Sequence, residues 1–198
     1  MLSTTTSFTS ERMKQYPSVC TVLLVAVASS VLAAVPLFGQ SPVIILFPKD
    51  KQSFEIQFPD GYKTAFKPDG SCVAVGPKAV IALLAMEEAK DAATASNRLP
   101  DLTKSFFLRS LHFRDLNVLG TEDTRIQRMV DEADGAPASV LRASGKNSDG
   151  NEMAITATAF PWQHRYYVVF TVAKPGDKDQ TETELKGILS SVSEINDD

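Results

Sequence analysis

The sequence contains few of the residues that most often carry catalysis or covalent cross-links. Its 198 residues include two cysteines, two histidines and one tryptophan. Cys20 lies in an apolar N-terminal stretch, and if that stretch is removed Cys72 is the only thiol left. Because a single cysteine cannot form an internal disulfide, we expect the remaining chain to depend on packing alone.

The scarcity of histidine also limits the chemistry. Zinc sites draw on clustered His and Cys ligands, whereas His112 and His164 lie far apart along the chain. The sequence has no Gly-rich phosphate loop and no Gly-x-Ser-x-Gly motif of a serine hydrolase. We therefore predict no metal, no cofactor and no catalytic residues, and favour a protein that is not an enzyme. The alternative is a small secreted hydrolase that uses scattered acids with His112 or His164.

Clustered positive charge is absent as well. The chain has 20 basic and 24 acidic residues, a net charge of −4, and no run of Lys and Arg. Binding to nucleic acid requires such a cluster to neutralise phosphates, so we expect no nucleic-acid partner. A hydrophobic content of 43% is too high for an intrinsically disordered protein. The length suits one domain with an appendage.

The sequence has no charged side chain over 34 consecutive residues, from Gln15 to Pro48. Arg12 and Lys14 precede this stretch, and an apolar run from Val19 to Phe38 fills it. A basic flank, an apolar run and then small residues are typical of a secretory signal peptide. We therefore predict that residues 1–40 are a leader and that residues 41–198 form a single domain.

The same leader also fits an uncleaved membrane anchor. Residues 19–38 number 20, about the ~20 that a helix needs to cross the hydrocarbon core. With basic residues on the N-terminal side, the body would lie outside the cytoplasm in either case. A buried core helix is disfavoured because the run lacks a polar stripe. An organelle transit peptide is a minor alternative, suggested by seven Ser or Thr among the first ten residues.

The body begins with patterns of short strands and turns. Residues 43–47 are rich in β-branched side chains, 54–58 alternate strictly between apolar and polar, and 62–66 fit a third strand. The apolar run 79–86 is compatible with helix or strand, and we favour a strand. Residues 87–97 predict a helix, and Pro100-Asp101 predicts the start of another.

The second half of the body predicts an antiparallel meander and a final helix. Strands are expected at 125–130, 139–144, 153–160 and 165–173, the last apolar on both faces as a central strand would be. The strand at 153–160 presents Thr156 and Thr158 on one face. The sequence Thr181–Glu184 predicts a capping box, followed by an apolar helical face from Leu185 to Val192 that should pack on the sheet.

Two acidic segments invite comparison with cation sites. The segment 147–152 places oxygen side chains at alternate positions, but its glycine and glutamate are misplaced for a calcium loop, and we interpret it as a hairpin turn. Asp131, Glu132 and Asp134 could hold a cation, although an ordinary acidic loop is the better interpretation.

Aromatic residues cluster around one predicted hairpin, at Phe160, Trp162, Tyr166 and Tyr167. Trp and Tyr are enriched as anchors in protein interfaces. We therefore take Trp162, Tyr166 and His164 as candidates for contact with a protein partner. Core packing is the competing interpretation. Under the contact hypothesis, Trp162→Ala would leave the fold intact and weaken association.

The order of these elements resembles the PsbP-like α/β/α sandwich family. The resemblance rests on the strand and turn from Phe54 to Gly61, a central helix, the Tyr-rich hairpin arm from Arg165 to Ala173, a Pro-Gly loop, and the terminal helix from Leu185 to Ser193. It implies a non-enzymatic, often extracytoplasmic module that binds a protein partner, sometimes with a metal, although no residue here matches a family metal ligand. The expected fold class is α+β, an antiparallel sheet with helices packed on it.

Overall fold

The computed structural model describes residues 41–86, 89–128 and 135–195. The predicted leader, residues 1–40, and the acidic residues Asp131, Glu132 and Asp134 lie outside the described residues. Within the ranges that are described, no helix is both long enough and apolar enough to cross a bilayer.

The described residues are organised around a seven-stranded antiparallel sheet. Its strands are β3 (Lys63–Phe66), β4 (Cys72–Val75), β5 (Ala79–Met86), β6 (Arg114–Ile126), β7 (Ala136–Lys146), β8 (Glu152–Trp162) and β9 (Arg165–Ala173), in the order β3-β4-β5-β9-β8-β7-β6. A separate antiparallel pair joins β1 (Val43–Phe47) to β2 (Phe54–Phe58). The predicted α+β class is therefore confirmed.

Strand β9 lies at the centre of the large sheet, as its apolar sequence predicts. It pairs with β5 on one side and β8 on the other. Tyr167 and Val169 belong to the core on one face, and Val168 and Phe170 to the core on the opposite face. Because both faces are covered, nearly every residue of this strand is buried.

Each face of the sheet has its own cover. Helix α1 (Ala92–Lys104) and the π-helical segment Ser105–Ser110 that continues it pack on one face, where Phe106 stacks on Phe170 at 4.7 Å between ring centroids. The β1–β2 pair and helix α2 (Lys178–Ser190), which follows a 3₁₀ turn at Pro175–Asp177, cover the other. The result is a sandwich with the sheet in the middle.

The start of α1 differs from the sequence-based prediction. The helix begins at Ala92, where Asp91 is the N-cap and its carboxylate accepts a 2.7 Å hydrogen bond from the Thr94 N–H. Pro100 lies inside this helix instead of starting a second one. Proline has no backbone N–H, so Pro100 removes one hydrogen bond of the helix. The helix continues through it because Leu99 and Phe106, on either side of Pro100, are buried against the sheet, and this packing outweighs the missing hydrogen bond.

The predicted capping box at Thr181–Glu184 is wrong, although the apolar face that follows it is confirmed. Helix α2 begins three residues earlier, at Lys178, and Thr181 is buried within it, donating to the Asp177 carbonyl at 2.9 Å. Glu184 instead accepts a 2.7 Å hydrogen bond from the Tyr62 hydroxyl. The 3₁₀ turn supplies the start that the capping motif was expected to provide.

Strand β6 was largely missed, since only its last two residues fall in the predicted strand at 125–130. It runs along one edge of the sheet, and its side chains are mostly exposed. Its pairing with β7 has two irregularities. Only Leu116 and Val118 alternate near its start, and residues 120–125 are without an apolar side chain, so most of the strand lacks the apolar alternation by which strands are recognised.

Candidate functional site

Trp162, the most prominent predicted contact residue, lies in the core. Its side chain is only 3% exposed, and its indole N–H donates a 2.8 Å hydrogen bond to the Ser53 carbonyl. The Phe54 ring lies 5.5 Å away and the Arg128 guanidinium 5.2 Å from the indole centroid. An indole with these contacts ties β8 to the β1–β2 pair, and it offers little surface to a partner.

The other two predicted contact residues are accessible. His164 is exposed in the two-residue turn between β8 and β9, where Gln163 has a positive φ of 52°. Tyr166 follows on β9 and is half-buried. Of the three candidates, therefore, only Tyr166 and His164 can meet another molecule without rearrangement of the core.

Tyr166 lines a cleft of about 670 Å³ between the first turns of α1 and the outer strands β6 and β7, which we call the Tyr166 cleft. The helix side of this cleft carries small residues, Ala92, Ala93 and Ser96. The strand side carries Asp123 and Ser139, whose hydroxyl donates a 3.0 Å hydrogen bond to the Asp123 carboxylate. Small side chains on the helix leave room for a ligand group, and the strands supply polar atoms.

Carboxylates lie in and beside the Tyr166 cleft, at Asp123 and Asp91. Burial raises the pKa of the Tyr166 phenol, and the nearby Asp91 carboxylate raises it further. The phenol is therefore neutral at physiological pH and can donate a hydrogen bond. Arg125 lies on β6 like Asp123, brings positive charge to the strand side of the cleft, and donates to the Gly135 carbonyl at 2.6 Å.

A second cleft, of about 590 Å³, lies on the opposite face of the sheet. We call it the terminal-helix cleft, since α2 forms one wall with Glu182, Leu185 and Leu189. Strands β6, β7 and β8 form the floor, where Val140 pairs with Thr158 and Arg142 pairs with Thr156 across neighbouring strands. The cleft thus combines an apolar wall with a polar floor.

An ion-pair network closes one side of the terminal-helix cleft. The Arg142 guanidinium binds the Glu122 carboxylate and lies 3.4 Å from Glu182, which Lys178 also approaches at 3.9 Å. The hydrogen bond to Glu122 contributes most to raising the pKa of Arg142. Because these charges are matched within the protein, the network holds α2 against β6 and β7. Arg125 and Lys186 also line this cleft.

The structure does not bring together the other candidate catalytic or metal-binding residues, His112, His164 and Cys72. His112 is exposed near the end of the π-helical segment, far along the chain from the turn that holds His164. Cys72 is buried, and burial raises the pKa of its thiol from 9.0 to about 11, so the thiol is neutral and a poor nucleophile at physiological pH. Among the described residues, no group of three or more His, Cys, Asp and Glu side chains could hold a metal ion.

The segment 147–152 forms a turn, as predicted. The Asn147 side-chain carbonyl accepts hydrogen bonds from the backbone N–H groups of Asp149 at 3.1 Å and Asn151 at 2.9 Å. An oxygen that is engaged by its own turn stabilises the hairpin between β7 and β8.

Both clefts contain residues that the sequence did not single out as a site. Asp123 was missed because its strand, β6, was not recognised. Thr156 and Thr158 did carry a signal, since their alternation with alanines gives β8 a hydroxyl face, but no pattern in the sequence shows that a cleft lies over that face.

The fold is similar to that of solved proteins. Cyanobacterial PsbP (CyanoP) from Synechocystis sp. PCC 6803 matches with a TM-score of 0.55 and 15% identity over 83% of this chain and 99% of that one. A protein from Bacteroides thetaiotaomicron matches with a TM-score of 0.53 and 9% identity over 80% of this chain and 50% of that one. No protein-family model and no curated protein matches the sequence. The resemblance predicted from the order of elements is thus confirmed for the fold: the described residues form a PsbP-like α+β sandwich.

Proposed function

We propose that this protein is an accessory binding protein, and that it contacts a protein partner through the Tyr166 cleft without catalysing a reaction. The observation that carries the proposal is that the half-buried Tyr166 lines a cleft together with small helix residues and the hydrogen-bonded pair Ser139 and Asp123. A tyrosine in such a position offers a rigid apolar ring and a hydroxyl donor, a combination enriched at the centres of interfaces.

The proposal includes a location outside the cytoplasm, based on the predicted leader. Arg12, Lys14 and the uncharged run that follows support delivery of the body across a membrane, with residues 1–40 either removed or retained as an anchor. Cell fractionation combined with mass measurement of the N-terminus distinguishes the two. Recovery of the intact chain in the soluble cytoplasm would overturn the export part of the proposal.

Site-specific cross-linking tests the contact. A photoreactive phenylalanine analogue is introduced in place of Tyr166 in the full chain, expressed in its native cells, and the cross-linked product is identified by mass spectrometry. The same analogue in place of Lys63 is the control, because Lys63 is exposed on β3, at the opposite edge of the sheet. We expect one reproducible adduct from position 166 and none from position 63.

The affinity of the identified partner then measures the contribution of each predicted contact. We expect Tyr166→Ala to weaken binding by tenfold or more, about 1.4 kcal/mol per factor of ten. His164→Ala should weaken it only a few-fold, since His164 is exposed beside the cleft residue and would lie at the rim of the interface. Equal affinity of Tyr166→Ala and the unchanged protein would rule out this cleft as the binding site.

A hydrolase remains the competing function and predicts a different result. Robust turnover of a substrate by the purified protein, lost on His112→Ala or His164→Ala, would contradict the binding proposal. We expect neither histidine variant to affect any activity, because the two side chains are exposed on different elements.

A further inference from the structure

We propose that residues 108–112, which follow α1 and precede β6, form a contact site for a membrane surface that carries anionic lipids. We call these residues the Leu108 protrusion. Leu108 would enter the boundary of the hydrocarbon layer, and the exposed cations around it, Lys104, Arg109 and Arg114, would bind lipid headgroups. The inference goes beyond the function proposed for the Tyr166 cleft and does not depend on it.

Two buried phenylalanines hold the base of the Leu108 protrusion. Phe107 is 0% exposed and Phe113 is 8% exposed, and their ring centroids lie 5.1 Å apart. The Phe113 N–H also donates a 2.9 Å hydrogen bond to the Phe107 carbonyl. Four of the five residues between them are exposed, and Leu111 is half-buried. Because the chain leaves the core and returns to it at one place, these side chains are presented on a preformed protrusion.

Exposed leucines supply the apolar part of the site. Three large hydrophobic side chains are exposed among the described residues. Two of them are Leu108, at 42%, and Leu119, at 64%, which lies on β6, the strand that contacts the π-helical segment. One exposed leucine alone is ordinary on a protein surface. Leucines flanked by Lys and Arg are instead the composition with which peripheral proteins enter a lipid interface.

The charge around the Leu108 protrusion is positive, although the whole chain has a net charge of −4. Residues 102–114 contain Lys104, Arg109 and Arg114 and no Asp or Glu. All three cations are exposed, and none of them forms an ion pair with another residue in the described ranges. Exposed cations beside an apolar side chain are attracted to the negative surface of an anionic bilayer.

The neighbouring carboxylates do not cancel this charge. Asp115 lies 3.9 Å from Lys146, which stands opposite Arg114 on one side and opposite Glu152 on the other. Lys146 is therefore balanced locally, and we do not count it among the cations of the site. Asp101, on α1, is then the one further carboxylate close along the chain, set against three cations.

A bilayer satisfies both parts of the site at once. Its headgroups offer negative charge at no fixed spacing, so cations on a helix end, a turn and a strand can all bind, and its hydrocarbon accepts a leucine without a shaped pocket. The Leu108 protrusion follows the last turn of α1, whereas the Tyr166 cleft lies at the first turns of this 13-residue helix. The two are separated by about 20 Å along the helix axis, so a membrane contact leaves the cleft free.

Quenching by labelled lipid tests the insertion. In the full chain with Cys20→Ser, a nitrobenzoxadiazole label is attached at Leu108→Cys or, as the matched control, at Ile44→Cys. Ile44 is 59% exposed on β1, which covers the opposite face of the sheet, and the buried Cys72 is not labelled in the folded protein. Each protein is reconstituted into vesicles of phosphatidylcholine, alone or mixed with phosphatidylserine, that contain doxyl-labelled lipid.

We expect the label at position 108 to be quenched about threefold more strongly than the label at position 44 in the vesicles that contain phosphatidylserine. In phosphatidylcholine alone the two labels should be quenched equally weakly, because the cations then lack a negative surface. A leader that stays in the membrane tethers both labelled proteins in the same way, so it does not produce this difference.

Charge reversal tests the electrostatic part of the site. Arg109→Glu combined with Arg114→Glu should lower the quenching at position 108 in the anionic vesicles to its value in the neutral ones. Lys49→Glu combined with Lys51→Glu is the control, because both lysines are exposed in the turn between β1 and β2 and the net charge changes equally. This control should leave the quenching unchanged, and circular dichroism should show the same fold for both variants.

Three results would overturn the inference. The first is quenching at position 108 no stronger than at position 44 in the anionic vesicles. The second is equal quenching at position 108 in neutral and anionic vesicles, which would show that anionic lipid is not recognised. The third is equal loss of quenching in the two charge variants, which would show that net charge and not this site decides the contact.

Discussion

Trp162 shows how a single residue connects the two sheets of this fold. Its indole packs on Phe54 and donates to the Ser53 carbonyl at 2.8 Å, so it joins the end of β8 to the start of β2. We expect Trp162→Ala to lower the free energy of unfolding by about 3–5 kcal/mol, as for large aromatic residues in cores. Urea denaturation followed by far-ultraviolet circular dichroism measures this loss.

His164→Ala is the control for that measurement, because His164 lies two residues away but is exposed in the turn. Its effect should stay within about 0.5 kcal/mol. A Trp162→Ala variant as stable as His164→Ala would contradict the core assignment and restore the hypothesis that Trp162 is a surface contact.

Cys72 predicts a pH dependence of stability. Burial raises the pKa of its thiol from 9.0 to about 11 in the folded state. A raised pKa means that the stabilisation is fully present below pH 9 and is lost as the pH rises through about 11, because the unfolded thiol ionises first. We expect the urea midpoint to fall between pH 9 and pH 11 and to fall less in Cys72→Ala.

The accessible-thiol assay gives an independent check on the same residue. In a Cys20→Ser background, a thiol reagent should react slowly with the native protein at pH 8 and rapidly in denaturant, since only the thiolate reacts. Fast reaction of the native protein would show that Cys72 is not buried.

Tyr62 also makes the folded protein less stable at high pH, because burial and Glu184 raise the pKa of its phenol in the folded state.

At the scale of elements, replacing two different glycines by alanine is expected to change the stability of the protein in opposite directions. Gly187 lies inside α2, and a Cβ there would have no atom within 4 Å. Gly187→Ala should stabilise the protein by about 0.5–1 kcal/mol, because alanine loses less backbone entropy than glycine in a helix. Thermal denaturation should show a higher midpoint, and a lower one would indicate that the space beside Gly187 is needed by the fold.

Gly76 is the matched contrast. A Cβ at this position would lie 2.3 Å from the Tyr62 ring, so the ring would have to move and its hydrogen bond to Glu184 would be disturbed. We expect Gly76→Ala to destabilise the protein by about 1–3 kcal/mol, the usual cost of overpacking. Equal stability of the two glycine variants would contradict the position of Tyr62.

How well each element was predicted follows from the strength of its local pattern. Strands β1, β2, β5 and β9 occupy the predicted residues because apolar runs or strict alternation mark them directly. The start of α2 and the passage of α1 through Pro100 were mispredicted, since packing on the sheet outweighed the local Pro and capping signals. Strand β6 shows such a pattern only at Leu116 and Val118, and its residues 120–125 are without an apolar side chain.

At the scale of the whole molecule, the two cores share one sheet. Tyr167 faces the core beneath α2, and its neighbour Val168 faces the core beneath α1. Loss of either core would expose one face of β9, so neither half is expected to unfold alone. Circular dichroism and Trp162 fluorescence should therefore report the same urea midpoint. Separate midpoints would show that the faces unfold independently.

The sequence by itself determined the α+β class, the central position of β9 and the apolar face of α2, because these depend on periodicity within a few residues. The resemblance to the PsbP-like fold came from the order of the elements along the chain. The uncharged stretch from Gln15 to Pro48 and the scarcity of histidine and cysteine also directed the functional hypothesis toward an exported binding protein. Only the tertiary structure decided that Trp162 is buried while Tyr166 lines a cleft, and that Thr156 and Thr158 face a second one. Burial and clefts arise from contacts between distant segments, such as Ser53 with Trp162 and Glu182 with Arg142, and no local pattern encodes those contacts.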